Sequence, residues 1–180
     1  MKIVKKICNI LSMILLIALL VIAAALIVPK FLGYDQFAVL SGSMEPNIHV
    51  GAIAYDKDVD PEELQVDDVV TYQLSDGTLV THRITAIDEE NKTITTKGDA
   101  NESEDAAPVA FENVVGKYEF NIPYLGYISI YGKTPLGIAV ICGVLVVMIL
   151  LNFLPDALSE DKDQKGEKKE DKVEEKKKDK

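Results

Sequence analysis

Residues 69–96 read Val-Val-Thr-Tyr-Gln-Leu-Ser-Asp-Gly-Thr-Leu-Val-Thr-His-Arg-Ile-Thr-Ala-Ile-Asp-Glu-Glu-Asn-Lys-Thr-Ile-Thr-Thr. Residues 69–74 are rich in β-branched and aromatic side chains, which suit a pleated, half-buried surface. Ser75-Asp76-Gly77 then supplies the Asp-Gly pair of a tight hairpin turn. Residues 78–87 alternate, with Leu79, Thr81 and Arg83 on one face and Val80, His82 and Ile84 on the other. Asp88-Glu89-Glu90-Asn91 turns the chain back into Thr93-Ile94-Thr95-Thr96, so this stretch is antiparallel β.

Working outward, residues 97–105, Lys-Gly-Asp-Ala-Asn-Glu-Ser-Glu-Asp, are too polar and turn-rich for a strand and form a loop at the end of the second hairpin. Residues 114–120 make a further strand, and Asn121–Gly126 a turn. On the other side, Ala52–Tyr55 is a short strand, and Asp58–Asp68 an acidic loop containing Pro61. Phe37, Val39 and Leu40 lead a short strand into Ser41-Gly42-Ser43-Met44-Glu45-Pro46. In that motif Gly42 removes a side chain from the backbone's path, and Pro46 restricts both itself and Glu45. Ser43 is thereby presented at a bend, where a neighbouring base could activate its hydroxyl.

Two apolar runs bracket this β-rich region. Ile7–Val28 is 22 uncharged residues, and Leu136–Leu154 is 19. As a helix the first would be about 33 Å long, enough to cross a bilayer core of about 30 Å. It exceeds the 7–15 apolar residues of a cleavable signal peptide, so it reads as a retained anchor, although Ala23-Ala24-Ala25 near its end has the small residues of a cleavage site. The expected organisation is a cytoplasmic N-terminus and transmembrane helix over 1–28 and a β-rich extracytoplasmic domain over 29–134. A second transmembrane helix over 135–154, opened by Pro135, and a charged, disordered cytoplasmic tail over 155–180 complete it.

The chain carries 19 basic and 29 acidic residues, for a net charge of −10. Residues 29–134 hold 7 basic and 19 acidic side chains, which excludes a nucleic-acid surface, because phosphate contacts need cations. Lys2, Lys5 and Lys6 precede the first run and nine lysines follow the second, placing both ends in the cytoplasm. Cys8 and Cys142 both fall in apolar runs, so no disulfide framework or cysteine-based zinc site is expected.

The chain has two histidines. His49 lies in a polar stretch and reads as a surface residue. His82 lies mid-strand among apolar neighbours, with a Gly-Asp loop at the far end of the partner strand. Asp99 and Asp105 are both candidates to orient it, as a base beside a nucleophile requires an orienting acid.

Taken in order, Ser41-Gly42-Ser43-Met44-Glu45-Pro46, Asp68-Val69-Val70-Thr71-Tyr72, Thr81-His82-Arg83-Ile84 and Lys97-Gly98-Asp99-Ala100-Asn101 resemble the successive motifs of type I signal peptidases. They are similar to the branch of the endoplasmic reticulum, archaea and some Gram-positive bacteria, which has histidine where the common bacterial branch has a lysine base. The resemblance spans roughly residues 37–130. It implies a mainly β catalytic domain with a twisted sheet, few or no helices in that domain, and terminal transmembrane helices. It also implies Ser43 as nucleophile, His82 as general base, Asp99 or Asp105 as its partner, and the Ser43 amide with the Ser41 hydroxyl as oxyanion hole. Between the two acids we favour Asp105, with Asp99 capping local backbone amides as a turn-former. Asp67 departs from the family pattern, which often has glycine there.

The implied activity is removal of signal peptides, with small residues before the cut, from preproteins held at the lipid bilayer. No metal or organic cofactor is implied, and no complex subunit is named. One alternative is a non-catalytic anchored surface domain; another is a Ser-Lys protease using Lys92 or Lys97, neither of which lies in the apolar surroundings that would lower its pKa.

Overall fold

The computed structural model describes residues 2–153. A long helix α1 (Lys2–Phe31) is followed by seven strands: β1 (Tyr34–Ala38), β2 (Ile53–Lys57), β3 (Val69–Gln73), β4 (Leu79–Asp88), β5 (Thr93–Lys97), β6 (Val109–Ala110) and β7 (Val114–Ile122). A short helix α2 (Gly126–Tyr131) and a second apolar helix α3 (Pro135–Phe153) complete the described chain. Both α1, over Ile3–Phe31, and α3 are long and apolar enough to cross a membrane. The expectation for residues 155–180 lies outside the described residues.

The strands form one curled antiparallel sheet in the order β1-β2-β7-β3-β4-β5-β6. The mainly β domain with apolar helices near its ends is as the sequence indicated. Leu74 accepts from Gly77 and donates to Thr78 (2.9 and 2.8 Å), closing the Asp-Gly hairpin between β3 and β4. The alternation in β4 is observed too: Ile84 and His82 are buried, and Val70, Tyr72, Ile84 and Ile94 form the core of that face. On the other face Met44, Ile48, Ala52 and Val69 make a second core.

The domain's few helices are short. Pro61–Glu63 is a 3-10 turn inside the acidic loop, started by Asp60, whose side chain accepts from the Glu62 amide. Phe111–Asn113 is another, and α2 is a short α-helix of six residues. β6, only two residues long, was missed; it is an edge strand defined by pairing with Ile94, not by its own sequence.

The first helix continues three residues beyond Val28, through Pro29. Proline has no N–H and crowds the carbonyl four residues back, here Ala25. That carbonyl instead accepts from the buried Tyr55 hydroxyl at 2.8 Å, and the next, Leu26, accepts from Gln36 Nε2 at 2.7 Å. The sheet thus supplies the donor that proline takes from Ala25 and adds a second tie at Leu26. Tyr55→Phe is expected to lower stability by roughly 1–2 kcal/mol, the cost of a buried unpaired carbonyl. A thermal unfolding midpoint unchanged from wild type would refute this tie.

The described residues divide into two compact units, residues 23–137 and residues 2–22 with 138–153. The second of these contains a polar tie of its own: Asn152 Nδ2 donates to the buried Ser12 hydroxyl at 2.6 Å and to the Met148 carbonyl at 2.8 Å.

Candidate active site

The serine motif is held to the sheet by its apolar members. Met44 and Ile48, four residues apart and joined by an Ile48 N–H to Met44 carbonyl bond of 2.9 Å, are each 2% exposed in the second core. Ser43 precedes this anchor. Its carbonyl accepts from the Ala100 amide at 2.8 Å, which ties the motif to the loop after β5. Gly98 permits that approach, since a Cβ there would stand 2.7 Å from the Ser43 carbonyl oxygen. Among the described residues no hydrogen bond uses the Ser43 amide, and Ser41 Oγ lies 3.4 Å from Ser43 Oγ.

A groove of about 700 Å³ runs beside the motif. Ser41, Ser43, Thr81, His82 and Asn101 line it, with Val39 and Leu40 from the chain leading into the motif. Ser43 and His82 share this groove without a hydrogen bond between them.

His82 is 7% exposed, and its Nδ1 lies 2.6 Å from Asp105 Oδ2. That same oxygen accepts from the Thr96 hydroxyl at 2.7 Å and from the Tyr72 hydroxyl at 3.0 Å. Burial pushes the Asp105 carboxyl up, but the bonds from His82 and Thr96, the imidazole's charge and the Tyr72 bond outweigh it, so Asp105 is held below the usual range. Burial pushes the Tyr72 phenol up to about 12, which keeps it a donor. Sequence reasoning missed Tyr72 and Thr96. Their signal was strand alternation, since both fall on the His82 face once the register pairs Val70 with His82 and Ile84 with Thr96.

Asp99 stands elsewhere and does not cap local amides as expected. Its carboxylate takes both Arg83 Nε and Nη2 at 2.8 Å, and Asn47 Nδ2 at 2.7 Å. The Arg83 bond is the main reason its carboxyl is lowered. Asp99 therefore joins β4 to the serine motif through Asn47. Arg83 also donates to the Asp67 carbonyl at 2.7 Å. Asp67 takes φ +78, the left-handed region that glycine often fills and aspartate tolerates, so the turn forms without glycine.

The remaining candidates lie outside the groove wall. His49 is exposed and paired with Glu45 at 2.5 Å. Lys92 bonds Glu62 at 2.8 Å, and that partner raises its pKa, the reverse of what a lysine base needs. Lys97 pairs with Arg83 in the β5–β4 register and does not line the groove. Among the described residues no group of three or more His, Cys, Asp or Glu side chains could hold a metal ion.

No family model matches the chain. Signal peptidase I W of Bacillus subtilis (strain 168) is 42% identical over 99 residues, covering 53% of this chain and 52% of the relative. The chain thus spans about half the length of the curated relative it matches. The printed name of that relative agrees with the family that the four ordered motifs of this chain resemble.

Proposed function

We propose that the protein is a membrane-anchored serine endopeptidase that cleaves signal peptides from exported preproteins, by the Ser-His branch of this chemistry. The observation that carries the reading is the contact of Asp105 with His82, which lines the groove that also holds Ser43. Asp105 keeps the proton on Nδ1, leaving Nε2 free to act as base. Ser43 Oγ attacks the scissile carbonyl while His82 takes its proton. The same proton then passes to the departing amine as the C–N bond breaks. Water, deprotonated by His82, releases the acyl group and restores Ser43. The unused Ser43 amide and the Ser41 hydroxyl are the donors for the oxyanion, where one donor typically contributes 10²–10³ in rate. Asp99 positions the motif through Asn47 and Arg83; it does not orient the base.

Substrates present small residues before the cut while their apolar segment lies in the bilayer. Tethering raises the effective concentration of site and scissile bond. Residues 29–134 face outside and both ends the cytoplasm, by the lysine distribution.

A fluorophosphonate probe is expected to label wild type and not Ser43→Ala; equal labelling would remove Ser43 from the reading. For orientation, Ser75→Cys should react with a membrane-impermeant maleimide in intact cells. Reaction only after permeabilisation would reverse the topology.

A further inference from the structure

Behind the groove wall lies a row of polar side chains that the proposed mechanism does not use. β2, β7, β3 and β4 are neighbours in the sheet, and Thr71 on β3 is paired with Gly116 on one side and Thr81 on the other. Thr71 Oγ1 and Thr81 Oγ1 are 2.8 Å apart, and Thr81 lines the groove. Beyond Gly116 comes Asp56 of β2. A Cβ on Gly116 would stand 3.2 Å from Asp56 Cβ, so the absence of a side chain there leaves Asp56 room beside Thr71.

Asp56 and Thr71 are both 0% exposed, and neither carboxylate oxygen of Asp56 has a partner in hydrogen-bond geometry among the described residues, although the Thr71 hydroxyl stands near enough to lower its pKa. Burying an unpartnered acid is costly, so its presence calls for a reason. The titratable groups opposite it are Asp35 on β1 and the Tyr118 phenol on β7. Lys57 and Lys117, one residue along, alternate to the other face, where Lys117 pairs with Asp68 at 2.7 Å. Burial raises the Asp56 carboxyl to about 6, opposed by the Thr71 hydroxyl and assisted by the charge of Asp35.

We propose that Asp56 is a positioning residue that, acting through Thr71, sets whether Thr81 gives or takes a hydrogen bond in the groove. An ionised carboxylate only accepts. Thr71 then turns its proton to Asp56 and accepts the Thr81 proton, leaving Thr81 with lone pairs for a peptide N–H. A neutral Asp56 can donate to Thr71. Thr71 then donates to Thr81, whose own proton is free for a peptide carbonyl. The grip on an extended peptide thus changes as Asp56 titrates. This deepens the reading above and rests on the groove being the peptide site.

The test is the Kd of a fluorescent synthetic signal peptide for the full chain carrying Ser43→Ala, in detergent, from pH 4.5 to 8. Binding is expected to change about three- to tenfold across the Asp56 titration, as one hydrogen bond supports. The change should vanish when Asp56→Asn or Thr81→Val is added. If Asp56→Asn fails to fold, Thr71→Val breaks the same row. A pH step that persists in any folded variant, or no binding at any pH, overturns the proposal. Whether wild type cleaves the same peptide decides the peptidase reading separately.

Discussion

Ser43→Ala is expected to abolish preprotein cleavage, with a loss on the order of 10⁵–10⁶ in kcat, the scale seen when a serine nucleophile is removed. The fold should survive the change. Ser43 contributes its carbonyl to the Ala100 tie, and the motif is held by Met44 and Ile48, none of which the substitution touches. Among the described residues the hydrogen-bond partner of the deleted oxygen is Ser41 Oγ, at 3.4 Å. Cleavage of a preprotein in detergent at more than a few per cent of the wild-type rate, with an unchanged unfolding midpoint, would remove Ser43 from the nucleophile's place.

Asp105→Asn should cost about 10⁴ in kcat, because an amide facing Nδ1 favours the wrong imidazole tautomer. The loss should lie in kcat more than in KM, since Asp105 acts through His82. Some destabilisation accompanies it, as one Asp105 oxygen accepts from His82, Thr96 and Tyr72 together. Asp99→Asn is the contrast. It weakens a two-bond contact with a partly exposed Arg83, a loss of about 1 kcal/mol in stability after allowing for solvent screening, with a much smaller fall in kcat. Measuring kcat beside the unfolding midpoint for both variants separates the roles. A 10⁴-fold fall for Asp99→Asn with its fold intact would reassign the orienting acid.

Much of this architecture was legible in the chain, for reasons that are local. The two apolar runs mark their helices by length and lack of charge, and the strands from Val69 to Thr96 declare themselves by alternation and an Asp-Gly turn. Order along the chain also marked Ser43, His82 and the two aspartates as the candidates, through the motifs that resemble a family's. What composition could not settle was which groups meet across the sheet. Asp99 and Asp105 are six residues apart in one loop, equally polar and equally rich in turn neighbours. Only the return of that loop, with the Asp105 amide bonded to the Thr96 carbonyl at 2.9 Å, sends one acid to His82 and leaves the other to Arg83. Nor did any local signal mark Tyr55 as the partner of Ala25, 30 residues earlier, or Gly116 as the space beside a buried Asp56. Those contacts arise from strand register, in which a side chain's neighbours are set by pairing between distant segments and not by its own flanking residues.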